Sequence, residues 1–521
     1  MSKRRLKLLG KILLGLIALL AAFLLIERWR GQIALARLKQ ELRVKGEKLS
    51  PQDFARVFDE EDNGAPTIFA ALERLTNRIL LPDSYPPRMQ VLKSGRAIVG
   101  FREPYWVEKD PYRNGKALTG IFTNHWSDLA ADLQTNKPAL NEIQTALTKP
   151  VLNNRLDLAE GSNLQFSHLL SARNLTRWLG SACQFALHHG RTADATKYLS
   201  SELNSLRLLA EDGVVISELV RIAMGAIART DTWEALQSDD WADADLAAIQ
   251  HVWETQYFMA SMATNLEGER IYMLQTAQQL RDSNDKTYDF MFGDYAIFFD
   301  DEVESEWVTR FKQLPFGEEL LSGLRRHIYC RAWRFAWSHQ AERRLLKNMQ
   351  TLIELSRAAT TNASFQAIES DLTTLIVQST KRNGYDRLRF PPPDSVITLA
   401  YTIKKSTRAE IERALCITAI ALKRYSLRHG KLPDNLNALV PEFLSAVPVD
   451  YMDGKPLKYR LNTDGSFTLY SVGEDGLDDG GNFAPREDYH GSDLWKRLDY
   501  VWPAPATPEE VEEFRQATNE D

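Results

Sequence analysis

Cysteine is scarce. Cys183, Cys330 and Cys416 stand far apart and form no CxxC pair, which excludes a zinc knuckle, a dithiol redox motif and a disulfide framework. Cys416 falls on the apolar side of a helical pattern and reads as a packed thiol. Charge of one sign is lacking too. The 64 Lys and Arg nearly balance the 70 Asp and Glu, for a net charge of −6. That leaves no basic field for nucleic acid. The signatures GxSxG, GxxxxGK[ST] and HExxH are absent, and no cysteine stands beside an evident base, so the familiar hydrolase, P-loop and zinc-protease chemistries find no support. No fixed repeat period runs through the chain.

Long hydrophobic runs are also missing, with one exception. A basic start, Ser2-Lys3-Arg4-Arg5-Leu6-Lys7, precedes an uninterrupted apolar run from Ile12 to Ile26. Leu8 to Ile26 nearly spans a bilayer if Lys11 snorkels, and Trp29 and Arg30 follow as interfacial anchors. The run is long for a cleaved signal peptide, and the only Ala-x-Ala, at Ala34-Leu35-Ala36, lies beyond a charged segment. The expectation is an uncleaved signal anchor: a single pass through the inner membrane with the bulk of the chain extracytoplasmic, in the periplasm. Cations flank both ends of the run, so orientation rests on the dense basic tail before it.

Beyond the anchor the pattern is mostly helical. A helix is predicted over Ala65 to Leu80, and an extended piece around Ala97 to Phe101. Leu169, Leu175, Leu179, Cys183 and Leu187 recur at helical spacing, and the helix they predict ends at His188-His189-Gly190. A cation-favouring helix C-terminus explains those histidines better than metal binding does. Gly190-Arg191-Thr192-Ala193-Asp194-Ala195 then opens the next helix, giving irregular helical hairpins. The acidic segment Asp294 to Glu306 is expected to pair with a long basic helix over Leu321 to Ile353. Pro391-Pro392-Pro393 marks a linker. The predicted fold is mainly α. Residues 1–30 form the anchor, 31–150 a membrane-proximal part, 151–382 a helical domain and 383–394 the linker. Residues 395–503 form a small α+β domain and 504–521 an acidic tail.

The most patterned stretch is near the C-terminus. Thr407-Arg408-Ala409-Glu410 has the form of a capping box. Ile411, Ala414, Leu415, Thr418, Leu422 and Tyr425 form one helical face, and Gly430 and Pro433 end it. Leu457, Tyr459 and Leu461 alternate with Lys458 and Arg460 as in a strand. Asn462-Thr463-Asp464-Gly465 makes a turn, and Ser466 to Val472 returns. The loop Glu474 to Asp479 comes next. Its residues alone allow either a solvated Asp-Gly turn or a calcium site, since calcium takes six to eight oxygens in irregular geometry.

Three patches in this order resemble the globular part of the major pseudopilin of type II secretion. They are Ala421 to Pro433, Asp450-Tyr451-Met452-Asp453-Gly454-Lys455-Pro456-Leu457-Lys458-Tyr459, and Phe467-Thr468-Leu469-Tyr470-Ser471-Val472-Gly473-Glu474-Asp475-Gly476. The resemblance covers a minor part of the chain. It implies a type IV pilin-like α+β domain and a bound calcium ion. Asp475 matches the family's Gly-x-Asp-Gly, Asp478 and Asp479 offer further carboxylates, and Asp499 stands in the place of the family's last Asp. The chain departs from the family in having no pilin processing site before the apolar run and a large insert between anchor and domain, so filament assembly does not carry over. The function expected is a non-catalytic binding or scaffold protein of the bacterial envelope, with envelope proteins as partners in a type II secretion-like system. The alternative is a hydrolase-like envelope enzyme whose site lies in the helical domain and forms only in three dimensions.

Overall fold

In the computed structural model the apolar run does not end where a bilayer would. It continues as a single helix, α1 (Lys3–Val44), of 42 residues. At 1.5 Å per residue this is roughly 60 Å, about twice the hydrocarbon core of a membrane. Among the described residues it is the one helix long and apolar enough to cross a membrane. Its first part is bare, with Leu14 73% exposed. The structure describes residues 3–54, 57–75, 86–107, 123–293, 310, 312–381, 383–390, 396–486 and 493–520.

Helices dominate the rest of the chain. In order they are α2 (Ala65–Arg74), α3 (Trp126–Leu147), α4 (Ser167–His188), α5 (Thr192–Ser205), the single turn α6 (Arg207–Ala210), α7 (Val215–Leu236), α8 (Asp243–Glu254), α9 (Phe258–Asp282) and α10 (Asn284–Phe292). Then come α11 (Gly317–Leu324), a π-turn at Arg325–Tyr329, α12 (Cys330–Ala336), α13 (Ser338–Asn362), α14 (Gln366–Thr380), α15 (Gly384–Arg389), α16 (Val396–His429) and α17 (Pro508–Glu520). Strands are short. β1 (Gln90–Val91) and β2 (Arg96–Ile98) pair antiparallel, as do β3 (Trp106–Val107) and β4 (Thr123–Asn124). Near the C-terminus β5 (Val449–Asp450) pairs with β6 (Lys455–Pro456). The hairpin β7 (Lys458–Leu461) and β8 (Phe467–Ser471) has Leu461 opposite Phe467, and β9 (Tyr500–Val501) adds to β8. The fold is mainly α, with a small C-terminal strand region.

The predicted hairpins form because one face of each helix is apolar. Leu169, Ala172, Leu175, Leu179, Cys183 and Ala186 of α4 are all buried, and pack on α5 and α7. The long helix expected over Leu321 to Ile353 is interrupted twice, by the π-turn and at Trp337, whose φ of −114° leaves the helix. The break lets Trp333 and Trp337 turn into a small cluster with Met291, Cys330 and Leu24 of α1. The helix expected over Ala65 to Leu80 is described as far as Arg74; residues 76–80 lie outside the described part, as do the acidic segment 294–306 and residues 391–394 of the linker.

Two local readings are corrected. Thr407 does not cap a helix start, because α16 already begins at Val396; its hydroxyl donates to the Ile403 carbonyl one turn back. Its partner in the expected box, Glu410, instead accepts the N–H groups of Phe258 and Met259 at 2.7 and 3.2 Å. It therefore caps α9, a helix distant in sequence. The tail 504–521 is not simply an acidic tail. β10 (Ala504–Pro505) runs parallel to β2, Ala504 opposite Arg96, and α17 comes after it with Arg515 bonded to Glu103. The main core runs without a break from Leu175, Trp178 and Trp233 to Ile411, Leu415 and Leu469 of the C-terminal part.

Candidate functional site

Of the four aspartates of the C-terminal loop, Asp475, Asp478 and Asp499 have their carboxylates engaged. Asp475 accepts the Leu477 N–H at 3.0 Å and lies 3.1 Å from the Arg486 guanidinium. Asp478 accepts the Tyr470 hydroxyl at 2.9 Å and the Gly480 N–H at 3.1 Å. Asp499 is fully buried and accepts from the backbone of Gly481 and Asn482 at 2.8 and 2.9 Å. The exposed Asp479 gives its own N–H to Asp499 at 3.4 Å. The structure thus brings Asp499 to the loop, but as an acceptor for backbone N–H groups. Among the described residues no three His, Cys, Asp or Glu side chains are placed to hold a metal ion. As arranged, an arginine and backbone N–H groups meet the carboxylates of Asp475, Asp478 and Asp499.

A second acidic cluster carried no sequence signal. Glu202 of α5 and Asp231 and Glu234 of α7 have no solvent exposure. Gly180 of α4 makes room for them, since a Cβ there would stand 2.2 Å from Asp231 Oδ2. Asp231 accepts from Gln184 at 2.9 Å and lies 3.4 Å from Arg88. Glu202 faces Asp231, and neither of its oxygens has a protein donor. Burial and the Asp231 charge push its carboxyl well above the carboxylate range, which favours the neutral acid beside Asp231. Glu234 accepts the Gly100 N–H at 2.9 Å, and burial with Asp231 nearby pushes it up to about 8. The same surroundings raise the Cys183 thiol, again chiefly through burial, so no thiolate nucleophile is made. The carboxyls of the cluster are closed to solvent. The cluster fastens the 97–101 segment onto α4 and α7 through Glu234, helped by His188, which bonds the Phe101 carbonyl and stacks on Trp126.

A cavity that solvent can enter lies beside α1. A groove of about 840 Å³ runs between α1, α13 and α14. Gly31 fixes its floor: a Cβ there would stand 2.9 Å from Gln340 Cγ, so α1 and α13 touch at close range. Gln340 reaches Glu27, whose carboxylate also takes the Tyr385 hydroxyl at 2.8 Å. Higher up, Glu47 just past the end of α1 binds Arg270 of α9 and Arg357 and Gln350 of α13. Burial works against its charge, but these donors and the two arginines hold it down to about 2. Leu35 and Leu42 of α1 pack between these fastenings, on Leu274 and Leu346. No family model, curated protein or solved structure matches the chain.

Proposed function

We propose that the protein is a single-pass, membrane-anchored, extracytoplasmic scaffold or binding component, with the N-terminus inside the cell. One observation carries this reading: α1 passes unbroken from the bare apolar run into the body, where Glu27 and Glu47 fasten it at both ends of its packed part. A hinged tether would leave the body free to diffuse and rotate. A continuous helix holds it at a fixed height and angle over the bilayer, which suits a platform for other envelope proteins. The pseudopilin resemblance of residues 395–503 supports a place in a type II secretion-like assembly. The buried state of the acid cluster supports the non-catalytic reading over a hydrolase.

Full-length protein is expected to stay with membranes through a high-salt wash, and removal of residues 1–26 to release it. Native protein in the soluble fraction, with a new N-terminus after Ala36, would instead establish a cleaved signal.

The calcium ion implied by the resemblance is the second part of the proposal. To enter, it has to displace Arg486 from Asp475. Binding to the folded state alone raises the melting temperature with ligand concentration. A calcium-dependent rise, reversed by chelator and lost in Asp475→Ala, supports the ion. An unchanged melting point leaves Arg486 as its permanent substitute.

A further inference from the structure

The groove beside α1 is charged unevenly. Five cations line it, Arg30, Arg343, Arg344, Lys347 and Arg389, against two carboxylates, Glu354 and Asp371, an excess of three positive charges. Most of the cations have work inside the fold. Arg30 pairs with Glu27, Arg344 bonds the Ser379 carbonyl, and Arg389 reaches Gln340 and Asp386. Arg343 and Lys347 are exposed, and among the described residues neither side chain has a hydrogen-bond or ion-pair partner. They stand four residues apart on α13, one helical turn, and so project on the same side. Arg389 Nε is buried without a partner.

The height of the groove is set by α1. Arg30 stands four residues beyond Ile26, roughly 6 Å along the axis. The interfacial layer of a bilayer is roughly 5–7 Å deep on each side. α13 rises alongside α1, since Gln340 meets Glu27 and Gln350 meets Glu47. Arg343 therefore lies one turn above the foot, while Glu354 lies several turns higher. Positive charge is concentrated at the membrane end.

The segment leading into α12, which packs on α1 through Trp333 and Leu24, carries bare apolar surface. Phe316, Leu320, Leu324 and Ile328 recur every four residues from the start of α11 through the π-turn and are 79, 55, 43 and 63% exposed. The next exposed aromatic, Phe335, lies under the Arg28 guanidinium, just past the apolar run. An exposed apolar stripe is what an interfacial helix presents to lipid.

We infer that the groove is a seat for the phosphate headgroup of an anionic phospholipid, with Arg343 and Lys347 as the recognising cations and Arg30 and Arg389 completing the site. This rests on the anchored reading above. That reading stands or falls on the salt-wash fractionation, which is indifferent to headgroup, so the two fail separately.

The test uses the full chain in neutral detergent, titrated with dioctanoyl phosphatidylglycerol, dioctanoyl phosphatidylcholine or inorganic phosphate, and read by native mass spectrometry and melting temperature. The anionic lipid is expected to bind at least about tenfold more tightly than the zwitterionic one, because each cation near an anionic surface contributes on the order of a factor of five. R343Q/K347Q is expected to abolish that preference while melting normally without lipid. Lys137→Gln, a surface change on α3, should keep the preference. Equal binding of the two lipids, or a preference that survives R343Q/K347Q, overturns the assignment. Displacement of the lipid by an equal concentration of inorganic phosphate overturns it in favour of a free-phosphate site.

Discussion

Replacing Arg221 by methionine is expected to destabilise the fold by about 3–5 kcal/mol, the usual cost of stripping one partner from a buried ion pair. Arg221 of α7 is 1% exposed and Glu218, one turn earlier, is fully buried. The guanidinium holds both carboxylate oxygens at 2.7 and 2.8 Å, donates to the Tyr257 carbonyl and the Ser261 hydroxyl, and covers the Phe258 ring at 4.3 Å. It is the joint between α7 and the start of α9. Without it Glu218 keeps only the Ser261 hydroxyl and the Asn265 amide, too little to offset a buried charge. Thermal unfolding of the full chain in detergent measures the loss. The control is E218L/R221M, which removes the orphaned carboxylate and should recover most of the stability. A single variant that melts within a degree or two of the parent would show that the pair does not join these helices.

How much of this was legible in the sequence depends on the range of each interaction. α4 and α5, the hairpin β7–β8 and the turn at Asn462 to Gly465 arise from local periodicity and turn chemistry, and they are where the pattern put them. Thr407 and Glu410 show the limit. Their spacing obeys a local capping rule, yet Glu410 finds the free N–H groups of α9, some 150 residues away, because tertiary packing placed a more demanding helix end beside it. The acid cluster was invisible for the same reason. Glu202, Asp231 and Arg88 come from three separated segments, and nothing in their neighbours marks them as buried. At the C-terminal loop the sequence shows the clustered carboxylates but not the Arg486 guanidinium that folds back onto Asp475. The groove is not legible in the sequence because its cations are spread over α1, α13 and α15; the basic helix over Leu321 to Ile353 was expected to pair with the acidic segment instead.

The buried acids make a further, measurable demand: the protein should lose stability as pH rises from 6.5 to 8.5. Burial pushes Glu234 up to about 8, and burial likewise raises Glu269, whose carboxylate takes the Val215 N–H, to about 7. In the unfolded chain both titrate near 4.5. Between these values the folded state holds protons that the unfolded state has released. Folding is therefore favoured at low pH, fully so below about 4.5, and the advantage is lost as pH climbs through 7 and 8. Each unit of displacement is worth about 1.4 kcal/mol, so the two residues together command on the order of several kcal/mol. Glu47 acts in the opposite sense but in another window, contributing above pH 4.5 and failing only as pH falls toward 2. His339, lowered by burial and by Arg281, also works the other way, below about pH 6.5. The window from 6.5 to 8.5 therefore isolates the acids. The melting temperature of the full chain should fall by several degrees across it. Glu234→Gln keeps a carbonyl oxygen for Gly100 but cannot ionise; it should melt close to the parent below about pH 4.5, already above it at pH 6.5 and further above it at pH 8.5. A parent protein whose melting point is flat over this range would mean that water or a cation reaches Glu234 and Glu269, and that the interior between α4, α7 and α9 is not dry.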